Sequence, residues 1–358
     1  MLPLKQSTPG LLVSFALLLS ALSSDGSQIS AQTISADKLF ASDRVTDIKI
    51  SVKESDWDTL RSQSRSFVDS LGTEVADSPF TYVPADLTID GQLIENVGIR
   101  KKGFLGSLDS ERPSLKIRFD KYQPQDPVPG LSRLTLNNNK QDPSRICQFL
   151  TYKLFNDSGT FSPRCGFVKL TVNGNYLGIY SNVESIKPEF LERGFQDGSG
   201  DYFEGTVADF FPDWIQKFEK KNKSASRDHL LEIAKLLNQE TLNLTELDKH
   251  IDIDAFLKFW AMESLIGFWD GYCSNQNNFF IYENPQNSKL YFIPWGTDSC
   301  FTQTTPLPPY RIRPKSVHAK SILPNKLYRN PKTQKRYDET LMSLLETHWK
   351  EDDLFAEI

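Results

Sequence analysis

Through the first half of the chain, short apolar runs alternate with polar residues at the spacing of strands. Val45, Ile48, Ile50 and Val52 predict a strand, followed by a short helix near Trp57 to Ser64. VPADLTIDGQLIENVGIRKKG alternates on both sides of Asp90-Gly91, which predicts a hairpin with its turn at that dipeptide. SLKIRFDK places Leu115, Ile117 and Phe119 on one face and Lys116 and Arg118 on the other. GFVKLTVNGNYLGIYSNVESI reads as a second hairpin turning at Asn173-Gly174. The period changes in DPSRICQFLTYKLFNDSG. There Asp142 is a candidate cap, Pro143 suits a first turn, Gly159 is a stop, and Ile146, Phe149, Leu150, Lys153 and Leu154 follow helical spacing. Three further helices are predicted in RDHLLEIAKLLNQ, DIDAFLKFWAMESLIGFW and KTQKRYDETLMSLLETHW. FFIY and LYFIPW are short strand-like runs, residues 196–227 read as an irregular excursion, and TTPLPPYRIRP as a connector. This order predicts an α+β protein, with a β-rich region carrying one helix over 45–190 and a helical region over 191–358. A cleft between two such regions is a common place for a ligand.

Composition narrows the functions. The 358 residues are 39% hydrophobic and 24% charged, with a net charge of −5. A nucleic-acid partner is not expected, since such proteins carry a basic surplus. Residues 1–31 read as a secretory signal: Lys5, then the apolar run Leu11–Leu22, then small and polar residues. A retained anchor is the alternative, and no later segment is apolar enough to span a membrane. The expectation is a secreted or cell-surface protein. Cys147, Cys165, Cys273 and Cys300 show no C-x₂-C spacing, and the four His are scattered, so no zinc site is expected. Cys273–Cys300 is the favoured disulfide, with free buried thiols as the alternative. Asn156, Asn222 and Asn243 head glycosylation sequons, relevant only in a eukaryotic source.

The densest candidate chemistry lies in WDGYCSNQNNFFIYENPQNSKLYFIPWGTDS. Asp270 and Asp298 stand near its ends, and Asn275, Asn277 and Asn278 follow the first. Mg²⁺ takes oxygen ligands, usually one or two carboxylates together with substrate phosphates. In phosphoryl transfer one Asp accepts the hydroxyl proton while another Asp and an Asn hold metal. Any one of these side chains taken alone reads more readily as a cap or turn residue. Upstream, Gly98, Gly103 and Gly106 flank Arg100 and Lys102 in a loop whose backbone suits phosphate approach. Lys116 reads by alternation as a solvent-facing strand lysine, and Glu184 as a surface carboxylate.

Several blocks, in order, resemble the CotH kinase family of spore-coat-protein-H-like atypical protein kinases. These are DLTIDGQLIENVGIRKKGFLGS, PSLKIRFDKY, LTLNNNKQDPSRICQFLTYKLFNDSG, YLGIYSNVESI, WDGYCSNQNNFFIYENPQNSKLYFIPWGTD and LYRNPKTQKRYDETLMSLLE. The resemblance implies a divergent, two-lobed protein-kinase-like fold, with a mainly β N-terminal lobe and a mainly helical C-terminal lobe. It implies binding of ATP with Mg²⁺ or Mn²⁺ and phosphorylation of protein Ser or Thr. By motif, Asp270 corresponds to the catalytic aspartate and Asp298 to the metal-binding aspartate. Asn277 or Asn278 would support the metal, with Asn275 as a competitor by spacing. Lys116 would contact nucleotide phosphates, Arg100 and Lys102 would lie in the phosphate-covering loop, and Glu184 near the segment framing the nucleotide. Two departures stand out. Only one carboxylate follows Pro294-Trp295, and Gln148 stands where the family often carries an acidic residue that pairs with the nucleotide lysine. These departures favour the alternative reading, a weak or inactive coat or cell-surface binding module.

Overall fold

The computed structural model describes residues 34–66, 77–104, 107–301 and 317–358. The predicted leader, Gly106 and the Pro-rich connector after Phe301 lie outside the described residues. No helix among the described residues is long and apolar enough to cross a membrane. The protein is α+β, as the pattern predicts.

A short helix, α1 (Ala36–Leu39), precedes strand β1 (Val45–Val52) and helix α2 (Glu54–Ser62). Strands β2 (Val83–Ile89) and β3 (Gln92–Lys102) form the first hairpin, and β4 (Ser114–Arg118) and β5 (Arg133–Asn137) follow. The first hairpin turns at Asp90 and Gly91, with φ of 48° and 88°. Two successive positive φ values are the mirror-image turn that matches strand twist, which Gly91 tolerates without a Cβ. Helix α3 (Cys147–Asp157) then leads into a second hairpin of β6 (Cys165–Val172) and β7 (Asn175–Glu184). The seven strands close into a barrel in the order β1-β2-β3-β4-β5-β7-β6, sealed by parallel pairing of β6 with β1. Alternation fills its interior with Ile48, Ile50, Leu87, Ile99, Leu115, Ile117, Leu134, Leu136 and Leu170.

The remainder builds on a four-stranded antiparallel sheet in the order β11-β10-β8-β9. Its strands are β8 (Tyr202–Gly205), β9 (Phe218–Lys220), β10 (Phe279–Asn284) and β11 (Lys289–Pro294). The helices are α4 (Pro188–Phe195), α5 (Asp228–Leu237), α6 (Leu244–His250), α7 (Ile253–Leu265), α8 (Tyr272–Asn275), α9 (Ile322–Arg329), α10 (Pro331–Thr347) and α11 (Glu351–Ala356). Helix α7 is buried on nearly every side, and Phe256, Phe259, Trp260, Tyr272, Phe279 and Phe292 share one aromatic core.

Three expectations are corrected. Residues 196–227 hold two strands and a 3₁₀ helix (Pro212–Lys217) rather than an irregular excursion. Strands of three and four residues carry too few alternations to show a period, so only the pairing of β8 with β10 and of β9 with β8 defines them. Helix α3 starts at Cys147 rather than at Pro143. Asp142 instead caps an intervening turn: its Oδ1 accepts from the Ser144 amide at 3.0 Å, and its Oδ2 from the Cys147 amide at 2.8 Å. All four cysteines are free thiols. Cys273 sits within the helical core at the start of α8, where its amide donates to Glu263 Oε2 at 2.8 Å, and packing rather than a disulfide holds the two loops.

Candidate functional site

The loop that carries Asp270 is gripped from behind by two buried acids. Glu263, in the last turn of α7, accepts from the Tyr272 amide at 3.0 Å and the Cys273 amide at 2.8 Å. These are orphan donors of a helix start, which otherwise need a cap. Asp209 accepts from the Tyr272 hydroxyl at 2.9 Å, from Gln276 Nε2 at 2.8 Å and from the Ile322 amide at 2.9 Å. Burial pushes the Glu263 carboxyl up to about 7, opposed by those amides and reinforced by Asp270. A Cβ on Gly271 would stand 2.4 Å from Glu263 Oε1, so the loop passes there only because the residue is glycine.

On this base Asp270 is surrounded by amides. Its Oδ1 accepts from Asn275 Nδ2 at 2.7 Å and Asn277 Nδ2 at 3.2 Å, and its Oδ2 from Asn278 Nδ2 at 2.7 Å. Gln276 and Asn278 take left-handed φ of 59° and 50°, which folds the asparagines back over the carboxylate. Burial pushes the Asp270 carboxyl up, and the three amides resist it. Each amide aims its NH₂ at Asp270, which turns its carbonyl oxygen the other way.

Asp298 follows β11 through Trp295, Gly296 and Thr297. The Trp295 amide donates to the Asn278 carbonyl at 3.0 Å, and this ties the two polar loops together. Gly296 has φ of +56°, and a Cβ there would come within 2.7 Å of Asn278 Oδ1. Asp298 is buried, and Asn137 Nδ2 on β5 reaches its Oδ2 at 3.4 Å. Burial pushes its carboxyl up to about 6, with Lys102 and Asn137 opposing and Asp270 adding to the rise. The two aspartates therefore lie within electrostatic reach of each other.

The outward register of the barrel supplies cations to the same region. Arg100 pairs across the sheet with Lys116, and Lys102 with Ser114. Burial holds the Lys116 ammonium well below its ordinary value; Glu204 opposes this, while Arg100, Lys221 and Lys102 lower it further. Lys102 is also lowered by burial, with Asp298 and then Glu204 opposing. Glu204 on β8 is thus the carboxylate within this cluster of cations. It pairs with Lys221, which also reaches Glu219 at 2.6 Å. Burial alone would raise the Glu204 carboxyl, but Lys221, Lys116 and Lys187 overcome it and hold it at about 2.

A carboxylate depressed in the folded state contributes stability above its unfolded value, and that contribution is lost as pH falls through the folded value. Glu204→Gln is therefore expected to be less stable than wild type by urea unfolding at pH 7. The difference from wild type should shrink between about pH 4.5 and pH 2. A constant difference across that window would contradict the ion-pair account.

The structure brings together Asp270, Asn275, Asn277, Asn278, Asp298, Lys102, Lys116 and Arg100, but not Glu184. Expected at the surface or beside a nucleotide, Glu184 is buried. Its carboxylate accepts from Arg164 Nη2 at 2.8 Å and Arg193 Nη2 at 2.5 Å, so it clamps β7 to α4. Gln148 does not stand in for an acid beside Lys116: its Oε1 accepts from Asn137 Nδ2 at 3.1 Å. The acid near Lys116 is Glu204, from the stretch taken for an excursion. Glu263, Asp209 and Asn137 were also missed. A polar residue inside the apolar run of α7 was the available signal for Glu263. Asp298 and the amide oxygens are hard-oxygen donors of the kind a divalent cation takes, and burial of the Asp298 carboxyl outweighs the groups that compensate it.

Comparison with known proteins follows this geometry. A family model described as CotH kinase protein matches residues 99–358. Inner spore coat protein H of Bacillus subtilis (strain 168) is 27% identical over 205 residues, covering 53% of this chain and 55% of that protein. Invasin CotH3 of Rhizopus delemar is 25% identical over 187 residues, covering 46% of this chain and 31% of that protein. The chain therefore spans about half, or less, of the length of these relatives. Among solved structures, the Helicobacter pylori proinflammatory kinase CtkA covers 54% of this chain and 57% of its own, with 13% identity and a TM-score of 0.27. A likeness that loose lends no support to a shared fold.

Proposed function

The chain belongs to the CotH kinase protein family, and on that footing we propose that it transfers the γ-phosphoryl group of ATP to a Ser or Thr hydroxyl of a protein. The observation that carries this reading is electrostatic. Arg100, Lys102 and Lys116 crowd one face, and both lysines are held below their ordinary values. The same region contains two carboxylates, half-buried Asp270 and buried Asp298, held above theirs. A polyphosphate relieves the first group and a divalent cation the second, so the two ligands are favoured together.

Each residue then has a role. Lys116 and Lys102 bind phosphate oxygens, and Arg100 adds charge from the neighbouring register position. Asp298 would hold Mg²⁺ or Mn²⁺ with the amide oxygen of Asn277 or Asn278, Asn275 being the remaining candidate. When bound, the ion neutralises charge on the transferring phosphates. Asp270 accepts the proton of the acceptor hydroxyl as the oxygen–phosphorus bond forms and the bond to ADP breaks. Three amide donors, one of them shared between both oxygens, fix the plane of the Asp270 carboxylate. In this reading the barrel and the helical half serve as the two lobes of a kinase-like arrangement. Secretion or display at a cell surface is part of the proposal, as are coat or surface partners of the kind named in its relatives.

Nucleotide-dependent stabilisation provides the first test. At a hundredfold excess over Kd, ATP with Mn²⁺ is expected to add about 2.7 kcal/mol of stability, read as a rise in Tm. Transfer of label from γ-labelled ATP to protein should accompany it. No rise at millimolar nucleotide would leave a binding or coat module as the better account.

A further inference from the structure

Gln276 stands between the asparagines, but its side chain does not join theirs on Asp270. Its Nε2 donates to Asp209 Oδ2 at 2.8 Å. Its carbonyl accepts from the Ala208 amide at 2.9 Å, and its own amide donates to the Tyr272 carbonyl at 3.0 Å. Asp209 is fully buried. Besides Gln276, it accepts from the Phe210 amide at 2.8 Å, the Tyr272 hydroxyl at 2.9 Å and the Ile322 amide at 2.9 Å. Burial pushes the Asp209 carboxyl up, and these four donors oppose it. Residues 208 and 209 follow β8, so a segment distant in sequence holds the middle of the asparagine loop.

Gln276 has φ of 59°, a left-handed conformation that residues with a Cβ adopt reluctantly. The chain reverses there. Asn275 precedes the turn, Asn277 and Asn278 follow it, and all three donate to Asp270. An extended or right-handed residue 276 would carry the last two in another direction. The side-chain bond to Asp209 opposes that change. It is charge-assisted and shielded from water, both of which strengthen it.

We propose that Gln276 and Asp209 are positioning residues for phosphoryl transfer: their bond holds the left-handed turn that seats three asparagine amides on Asp270. Each acts through the asparagines rather than on the reacting atoms. This inference rests on the reading of Asp270 as the base. Asp209 has a second task at the start of α9, so substitution of Gln276 isolates the clamp.

The test uses the full chain at saturating ATP and Mn²⁺. Gln276→Met keeps the length of the side chain and removes the donor. It is expected to lower the rate of transfer by about a hundredfold, the loss that a misplacement of about 1 Å brings. The nucleotide-dependent rise in Tm should stay as in wild type. Gln276→Glu, which sets a second carboxylate against Asp209, should lose as much. Adding Asp209→Asn to Gln276→Glu exchanges donor and acceptor, and should restore part of the rate. A mere packing role predicts a further loss instead, because Asp209→Asn also takes an acceptor from the Ile322 amide. Hydrogen exchange over residues 271–278 reads the turn without catalysis. It should be faster in both single variants and slower again in the double variant. Transfer and exchange at wild-type rates in Gln276→Met overturn the proposal. A double variant no better than Gln276→Glu also overturns it, and decides the question if Gln276→Met fails to fold. A wild type that transfers no label overturns the proposed function itself, and this role with it.

Discussion

Asp298→Ala is expected to lower metal-dependent phosphoryl transfer by roughly a thousandfold, or about 4 kcal/mol of transition-state stabilisation. The size follows from what the side chain holds. Its carboxyl is buried and pushed up to about 6, against the opposing effects of Lys102, a long contact from Asn137 and a backbone hydrogen bond. Little local structure depends on it, so the variant should fold, and its circular dichroism melt serves as the control. The metal requirement separates this role from a packing role. Loss of the metal-holding group should raise the Mn²⁺ concentration needed for half-maximal transfer, and conservative Asp298→Glu should recover part of it. Transfer at the wild-type rate, with an unchanged metal requirement, would remove Asp298 from the mechanism.

Asp270→Asn is expected to reduce transfer by about 10²–10⁴-fold, the usual contribution of a positioned base. Here the nucleotide-dependent rise in Tm should persist, because the lysines and Asp298 are untouched. The substitution also sets an NH₂ group against asparagines that already donate to that position. Some rearrangement of the loop from Asn275 to Asn278 is therefore part of the expected loss. The pair of variants distinguishes the roles. Losing Asp298 changes the metal requirement, whereas losing Asp270 changes the rate at saturating metal and nucleotide. If Asp270→Asn transfers label as fast as wild type, the base is another group.

Much of the fold was legible because each signal was local. Alternation through Ile48 and Ile50, through Ile99, and through Leu115 and Ile117 specifies strands whatever surrounds them. Asp90-Gly91 and Asn173-Gly174 specify turns by backbone sterics alone. The helical spacing of Phe149, Leu150 and Leu154 survived even though α3 begins later than the proline suggested. Closure of the barrel was not legible, since the seal is a parallel pairing of β1 with β6, more than a hundred residues later. The disulfide expectation failed for a related reason: nearness in sequence to two loops says nothing about where thiols point.

The candidate site divides along the same line. The sequence by itself determined the composition of the Asp270 and Asp298 loops, and the alternation that turns Arg100, Lys102 and Lys116 out of the barrel while Ile99, Leu115 and Ile117 turn in. It could not show what that outer face meets. Asn137, outward by the same alternation, becomes buried because the second half of the chain covers it and delivers Asp298 to its amide. Glu204 reaches the lysines from a strand too short to carry a pattern. His229 and His250, scattered in the sequence, have ring nitrogens 2.9 Å apart. Alternation depends on nearest neighbours and can be read along the chain. The partners of a charge depend on which distant segments share a low-dielectric space, and only tertiary packing decides that.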